Sequence, residues 1–245
     1  MKTNKKGNRK NKKKGKLTYK RRRIHKGGNK HLTTYPPESI KNYISNIIYV
    51  NLDSRTDRKE QIENELKIFN PEQIHRVPGI VPEILDLKHR NIALAKAHLN
   101  AIKLAIDNNW SNVLILEDDS VWANIERAYP VFEKLINQQY NVIMLNAHHT
   151  QYNKETYQIH SGTSGAAYLL HHSYYNIYYD RLKEMIDNFD PNKEHQTVEV
   201  DKAVFGPLQK EHKWLVVVPS LMIQLPGFSD RGDGYTNFTK VDTHI

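Results

Sequence analysis

Asn112-Val113-Leu114-Ile115-Leu116-Glu117-Asp118-Asp119 is the stretch on which the fold turns. Four apolar residues in succession, with no polar alternation, suit a strand covered on both faces rather than one with a wet side. The run then ends in three carboxylates. In open α/β sheets ligands collect beyond the carboxyl ends of the strands, so an acidic strand end marks a candidate site. Two carboxylates about 4 Å apart repel by about 4 kcal/mol at an effective dielectric near 20. A hard divalent cation, magnesium or manganese, turns that repulsion into binding. Strand alternation puts Glu117 and Asp119 on one side and Asp118 on the other, so two of the three are expected to face the ligand. The plainer reading is a solvated acidic loop with Asp119 or Ser120 as a helix cap.

The residues around this strand repeat its pattern. Upstream, Asn46 to Leu52 reads as a second buried strand, followed by an amphipathic helix from Thr56 to Phe69 and a short strand from Gln73 to Val77. Ile92, Ala95, Leu99, Ile102 and Ile106 make one stripe of a helix spanning Asn91 to Asn108. Downstream come a helix from Asn124 to Gln138, strands at Asn141 to Leu145 and Gly165 to Leu170, helices through Tyr174 to Asn188 and Val198 to Gln209, and a strand at Leu215 to Val218. Strands alternating with helices predict a single α/β domain with a mostly parallel sheet flanked by helices. Neither an internal repeat nor a linker interrupts residues 39–245.

Residues 1–38 differ in kind. Of 36 Lys and Arg in the 245-residue chain, 15 fall within residues 1–30 beside no acid; the other 21 face 27 acids, a balance of −6. The formal net charge of +9 therefore belongs to a basic tail. The tail is too polar to offset its chain entropy by burial and is expected to be disordered. It is suited to salt-dependent, non-specific contact with polyanions through residues 1–35, or to a solubilising role. No apolar run is long enough for a membrane span, and the basic start lacks the apolar segment of a signal peptide. The expected location is cytoplasmic or associated with a virion or virus factory. With no cysteine, disulfides and thiolate metal sites are excluded.

A second candidate patch follows the first strand: Asn51-Leu52-Asp53-Ser54-Arg55-Thr56-Asp57-Arg58. A strand opening into a turn with two arginines at a helix start suits an anionic or nucleotide ligand. Surface ion pairing explains the same residues equally well. Among the 13 histidines, His195 and His212 are candidates for an added metal ligand, while His148-His149 and His171-His172 lack the spacing of a helical pair. Tyr174, Tyr175, Tyr178 and Tyr179 are expected to pack in the core with their hydroxyls at the surface. Gly232-Asp233-Gly234-Tyr235 reads as a tight turn suited to a lid.

Taken in order, four blocks resemble family 25 glycosyltransferases, the group of bacterial lipooligosaccharide sugar transferases and animal collagen galactosyltransferases, with relatives in large DNA viruses. The blocks are Asn51 to Arg58; the helix with His98 leading to Leu114 through Asp119; Gly165-Ala166-Ala167-Tyr168-Leu169-Leu170; and Pro219 to Gln224 followed by Phe228-Ser229-Asp230. Ala93-Leu94 and Ala97-His98 replace the family's usual Gly-Cys and Ser-His, and Arg231 replaces an apolar residue. The resemblance implies a GT-A-like domain and a manganese- or magnesium-dependent hexosyltransferase. The donor is a nucleotide-diphosphate sugar, UDP-linked by expectation, and the acceptor a glycan or glycoprotein hydroxyl, with inversion. It assigns Glu117 and Asp119 to the metal. Asn51, Asp53, Arg55, Arg58 and Asp118 go to the donor. Asp201 becomes the base, with Glu199 as its substitute. Two rivals stand beside it: another metal-dependent phosphoryl or nucleotidyl transferase, and an inactive protein acting through its basic tail.

Overall fold

The computed structural model describes residues 22–23, 32–33, 36–232 and 234–237. The disorder expected of residues 1–38 thus falls mostly outside the described residues. Within that segment Arg22–Arg23 (β1) and Leu32–Thr33 (β2) pair antiparallel, and a short helix, Glu38–Tyr43 (α1), leads into the body.

The apolar strands come out as read. Asn46–Asn51 (β3), Ile74–Pro78 (β4) and Asn112–Glu117 (β5) lie side by side and parallel. Between them run Thr56–Leu66 (α2) and Leu87–Asp107 (α3). β5 ends in a tight turn at Asp118-Asp119 and resumes as Ser120–Trp122 (β6), followed by Ile125–Ile136 (α4) and Val142–Met144 (β7). A hairpin absent from the sequence reading comes next, His148–Tyr152 (β8) against Ile159–Thr163 (β9). Ala167–His171 (β10) and Tyr175–Asp187 (α5) follow. A π-helical turn, Asp201–Phe205, runs on into Gly206–Glu211 (α6). Trp214–Val216 (β11), Met222–Gln224 (β12), Gly227–Ser229 (β13) and Gly234–Thr236 (β14) close the described chain.

The central sheet has the order β11-β7-β10-β5-β3-β4. Only β10 runs against its neighbours, pairing antiparallel with both β5 and β7, so the sheet is mostly parallel as expected. The hairpin explains the exception. It leaves β7 and returns across the paired base His148–Thr163, so the chain re-enters from the end at which it left.

Continuous apolar strands serve two cores. Leu114 and Leu116 of β5 join one buried cluster with Ile62, Leu66 and Phe132 of α2 and α4. Val113 and Ile115 join another with Ala95, Ile102, Tyr178 and Leu208 of α3, α5 and α6. Alternate side chains thus meet helices on opposite faces. The tyrosine expectation needs correction: Tyr174, Tyr175 and Tyr178 are core residues, but their hydroxyls are buried too. Trp214 Nε1 donates to the Tyr174 hydroxyl at 3.3 Å, and the Tyr178 hydroxyl donates to that of Tyr168 at 3.2 Å. Among the described residues no helix is long and apolar enough to cross a membrane.

Candidate active site

A cavity of about 770 Å³ opens beyond the carboxyl ends of β3 and β5. Asn51 ends β3 and is buried there. Its Nδ2 donates to Asp118 Oδ2 at 2.8 Å and to the Arg55 carbonyl at 3.0 Å, while Arg76 Nε donates to its Oδ1 at 3.0 Å. One turn into α2, Arg58 Nη1 lies 3.0 Å from Asp118 Oδ1 and 3.4 Å from Asp119 Oδ2, and its Nη2 donates to the Phe228 carbonyl at 2.8 Å. The short pair β6–β12 sets Gln224 opposite Ser120. From there its Nε2 reaches Glu117 Oε2 and Asp119 Oδ1, both at 3.3 Å.

The acidic trio therefore divides. Glu117 and Asp119 converge on Gln224, and Asp118 belongs to Asn51 and Arg58. That grouping agrees with the expected sidedness, but all three line the cavity, so Asp118 does not point away from it. The reason is local: β5 stops at Glu117, and the turn at Asp118-Asp119 breaks the strand alternation. Burial, and the charge of Asp119 beside it, push the Glu117 carboxyl well above its usual range; burial likewise raises Asp119.

Asp201, at the start of the π-helical turn, lines the same cavity. Pro207 has no N–H to give to the preceding turn and crowds the carbonyl four residues back, and the widened turn precedes it. Ser164, with φ of 95°, directs its backbone N–H to Asp201 Oδ2 at 3.4 Å and its hydroxyl to Asn146 Oδ1 at 2.5 Å. His148 and His149 line the cavity nearby. Burial lowers the His148 pKa to about 4.

Six of the nine residues singled out from the sequence meet here: Asn51, Arg58, Glu117, Asp118, Asp119 and Asp201. Three do not line the cavity. Asp53 is exposed and pairs with Arg76. Arg55 is held by Asp57 at 3.0 Å and by Asp230. Glu199 pairs with Lys202 at 2.9 Å. His195 is exposed, and His212 packs edge-on against Tyr174; neither lines the cavity. Gln224, Asn91, Ser164, His148 and His149 escaped notice as site residues. Gln224 had a signal, its place in the last of the four blocks; the hairpin histidines had none, since helical spacing was the wrong template for them. Gly227–Ser229 and Gly234–Thr236 pair as a hairpin, and Phe228, Ser229, Gly232 and Thr236 line the cavity, while Asp233 lies outside the described residues.

Among the described residues no group of three or more His, Asp or Glu side chains is arranged to hold a metal ion. The pair Glu117 and Asp119 still fits magnesium or manganese, which take one or two carboxylates and fill the remaining positions with water and phosphate oxygens.

No protein-family model matches the chain, and no curated protein does. Many solved structures are similar in outline, among them three. One is a glycosyltransferase involved in the glycosylation of the major capsid of PBCV-1: 13% identity, 81% of this chain and 97% of that chain, TM-score 0.49. Another is 4-diphosphocytidyl-2C-methyl-D-erythritolsynthase from Anaerococcus prevotii: 15% identity, 76% and 75%, TM-score 0.43. The third is mannose-1-phosphate geranyltransferase from Thermus thermophilus: 8% identity, 71% and 73%, TM-score 0.43.

Proposed function

We propose that the chain is a GT-A-type glycosyltransferase moving a hexose from a nucleotide-diphosphate sugar to a hydroxyl of a glycan or glycoprotein, with inversion. The observation that supports this reading is the shared cavity: the acidic end of β5, the guanidinium of Arg58 and the carboxylate of Asp201 all face one space. Its volume falls within the range usual for small-molecule sites.

In this reading Glu117 and Asp119 hold Mn²⁺ or Mg²⁺, which when bound neutralises the departing diphosphate. Arg58 offers a second positive charge to the phosphates, and Asp118 with Asn51 keeps that arginine in place. Asp201 takes the proton from the attacking hydroxyl. The new bond forms from that oxygen to the anomeric carbon, the bond to the phosphate oxygen breaks, and the electron pair leaves with the diphosphate. The Ser164 N–H holds the Asp201 carboxylate in orientation. Asp53, Arg55 and Glu199 support neighbouring loops without touching the donor. The basic residues of segment 1–35 supply a separate, non-specific polyanion contact.

The experiment is incubation with a panel of nucleotide sugars, an acceptor mixture and manganese. Release of nucleoside diphosphate supports glycosyl transfer; pyrophosphate release would assign the site to nucleotidyl transfer instead. Asp201→Asn should lower turnover by at least about a hundredfold, the usual span of a lost general base, while donor affinity changes less than about threefold. Unchanged turnover in that variant removes Asp201 from the mechanism.

A further inference from the structure

The cavity has two kinds of wall. One carries the acids and Arg58. The other is built from the loop after β4 and the first turns of α3; beside Arg90 it carries several large apolar side chains that are open to solvent. Ile80, Val81, Leu85 and Leu87 line the cavity at 36–67% exposure. Large apolar side chains left uncovered together inside a concave site point to a ligand with apolar surface.

Beside them on α3, Asn91 lines the same cavity at 3% exposure, and its Oδ1 has no hydrogen-bond partner. Leaving a buried acceptor unmatched costs about 1–3 kcal/mol, so this amide oxygen stands ready for a donor from outside the chain. Aliphatic walls and one buried acceptor together suit a flat group with apolar faces and an N–H on its edge. A sugar would strand its hydroxyls against Ile80, Val81 and Leu85, and a hydrocarbon chain offers Asn91 nothing to accept.

Resting on the nucleotide-sugar reading of the acidic end, we propose that this wall is the nucleobase subsite and that Asn91 Oδ1 accepts the ring N–H of a base that carries one, as uracil and guanine do. Asn91 is thus a specificity-determining residue for the donor.

Calorimetry on the full chain tests this with UDP, GDP and their ring-methylated analogues, in which N3 of uracil or N1 of guanine bears a methyl group. At least one parent diphosphate should bind about tenfold or more tighter than its methylated analogue, the effect of one lost hydrogen bond. In Asn91→Leu the difference should shrink below about twofold. The free variant should melt no lower than the wild type, because leucine replaces an unmatched polar group. If Asn91→Leu does not fold, Asn91→Ala gives the same comparison. A discrimination that survives in the variant, or that is absent from the wild type, overturns the subsite. Failure of the wild type to bind any nucleoside diphosphate would instead overturn the nucleotide-sugar reading and this inference with it.

Discussion

Arg58 touches Asp118, Asp119 and the Phe228 carbonyl at once, and its own side chain and the two carboxylates are largely covered. Removing one member of a buried ion pair leaves an uncompensated charge and costs about 3–5 kcal/mol. Arg58→Ala should therefore lower stability by that order in a urea titration, and weaken nucleoside diphosphate affinity as well. A change below about 1 kcal/mol would mean that the carboxylates are compensated by something else. His98 makes a different residue-scale case. It is buried on α3 with Nδ1 2.9 Å from the Tyr168 hydroxyl, and burial lowers its pKa to about 4. An unfolded histidine titrates near 6.5. Between about pH 6.5 and 4 the unfolded chain binds a proton that the folded chain does not, so stability falls as pH falls through that window and is fully present above it. Across it the histidine accounts for up to about 3 kcal/mol. His98→Gln should flatten that part of the stability–pH curve by a similar amount, measured by denaturant midpoints from pH 4 to 8. An unchanged slope would place the acid sensitivity in other groups.

Among the elements, α3 shows both what was legible in the sequence and what was not. Its apolar stripe was readable because Ala95, Ile102 and Ala105 share a buried core with the sheet and Ile92 is buried as well. Its first turn was not. Leu87 and Arg90 face the cavity instead of the core, and periodicity registers only residues that face a core. The start is fixed by Asp86, whose side chain accepts from the His89 N–H at 2.8 Å. Replacing such a cap costs about 1 kcal/mol. Asp86→Ala should show that loss in urea, together with weaker nucleotide binding because Arg90 ends the frayed turn and Asn91 follows it. Intact binding at reduced stability would show that the first turn does not position the site. The β8–β9 hairpin was hidden for a related reason. Its strand His148–Tyr152 is mostly polar, and its register is irregular, so neither an apolar run nor a strict alternation announced it. Without the hairpin the reversed direction of β10 could not be inferred. The acids at the end of β5 were legible because the apolar run that delivers them is uninterrupted, whereas strand alternation turned Asp118 away from the ligand because the turn that brings it to the cavity has no apolar pattern of its own.

For the whole molecule, two helical layers bury the sheet on both faces and leave its carboxyl end as the concave opening. The charge of the chain is divided in the same way. The body is mildly acidic, and the basic residues that set the overall sign fall within residues 1–30 of the sequence. Function at this scale depends on whether buried like charges at the end of β5 exist for a cation. The most direct measurement is calorimetric binding of UDP and GDP to the full chain with and without Mn²⁺ or Mg²⁺, repeated on Asp119→Asn. The expected result is a nucleoside diphosphate affinity at least about tenfold higher with metal, equivalent to about 1.4 kcal/mol, and loss of that gain in the variant. A folded protein that binds neither metal, with or without nucleotide, would contradict it.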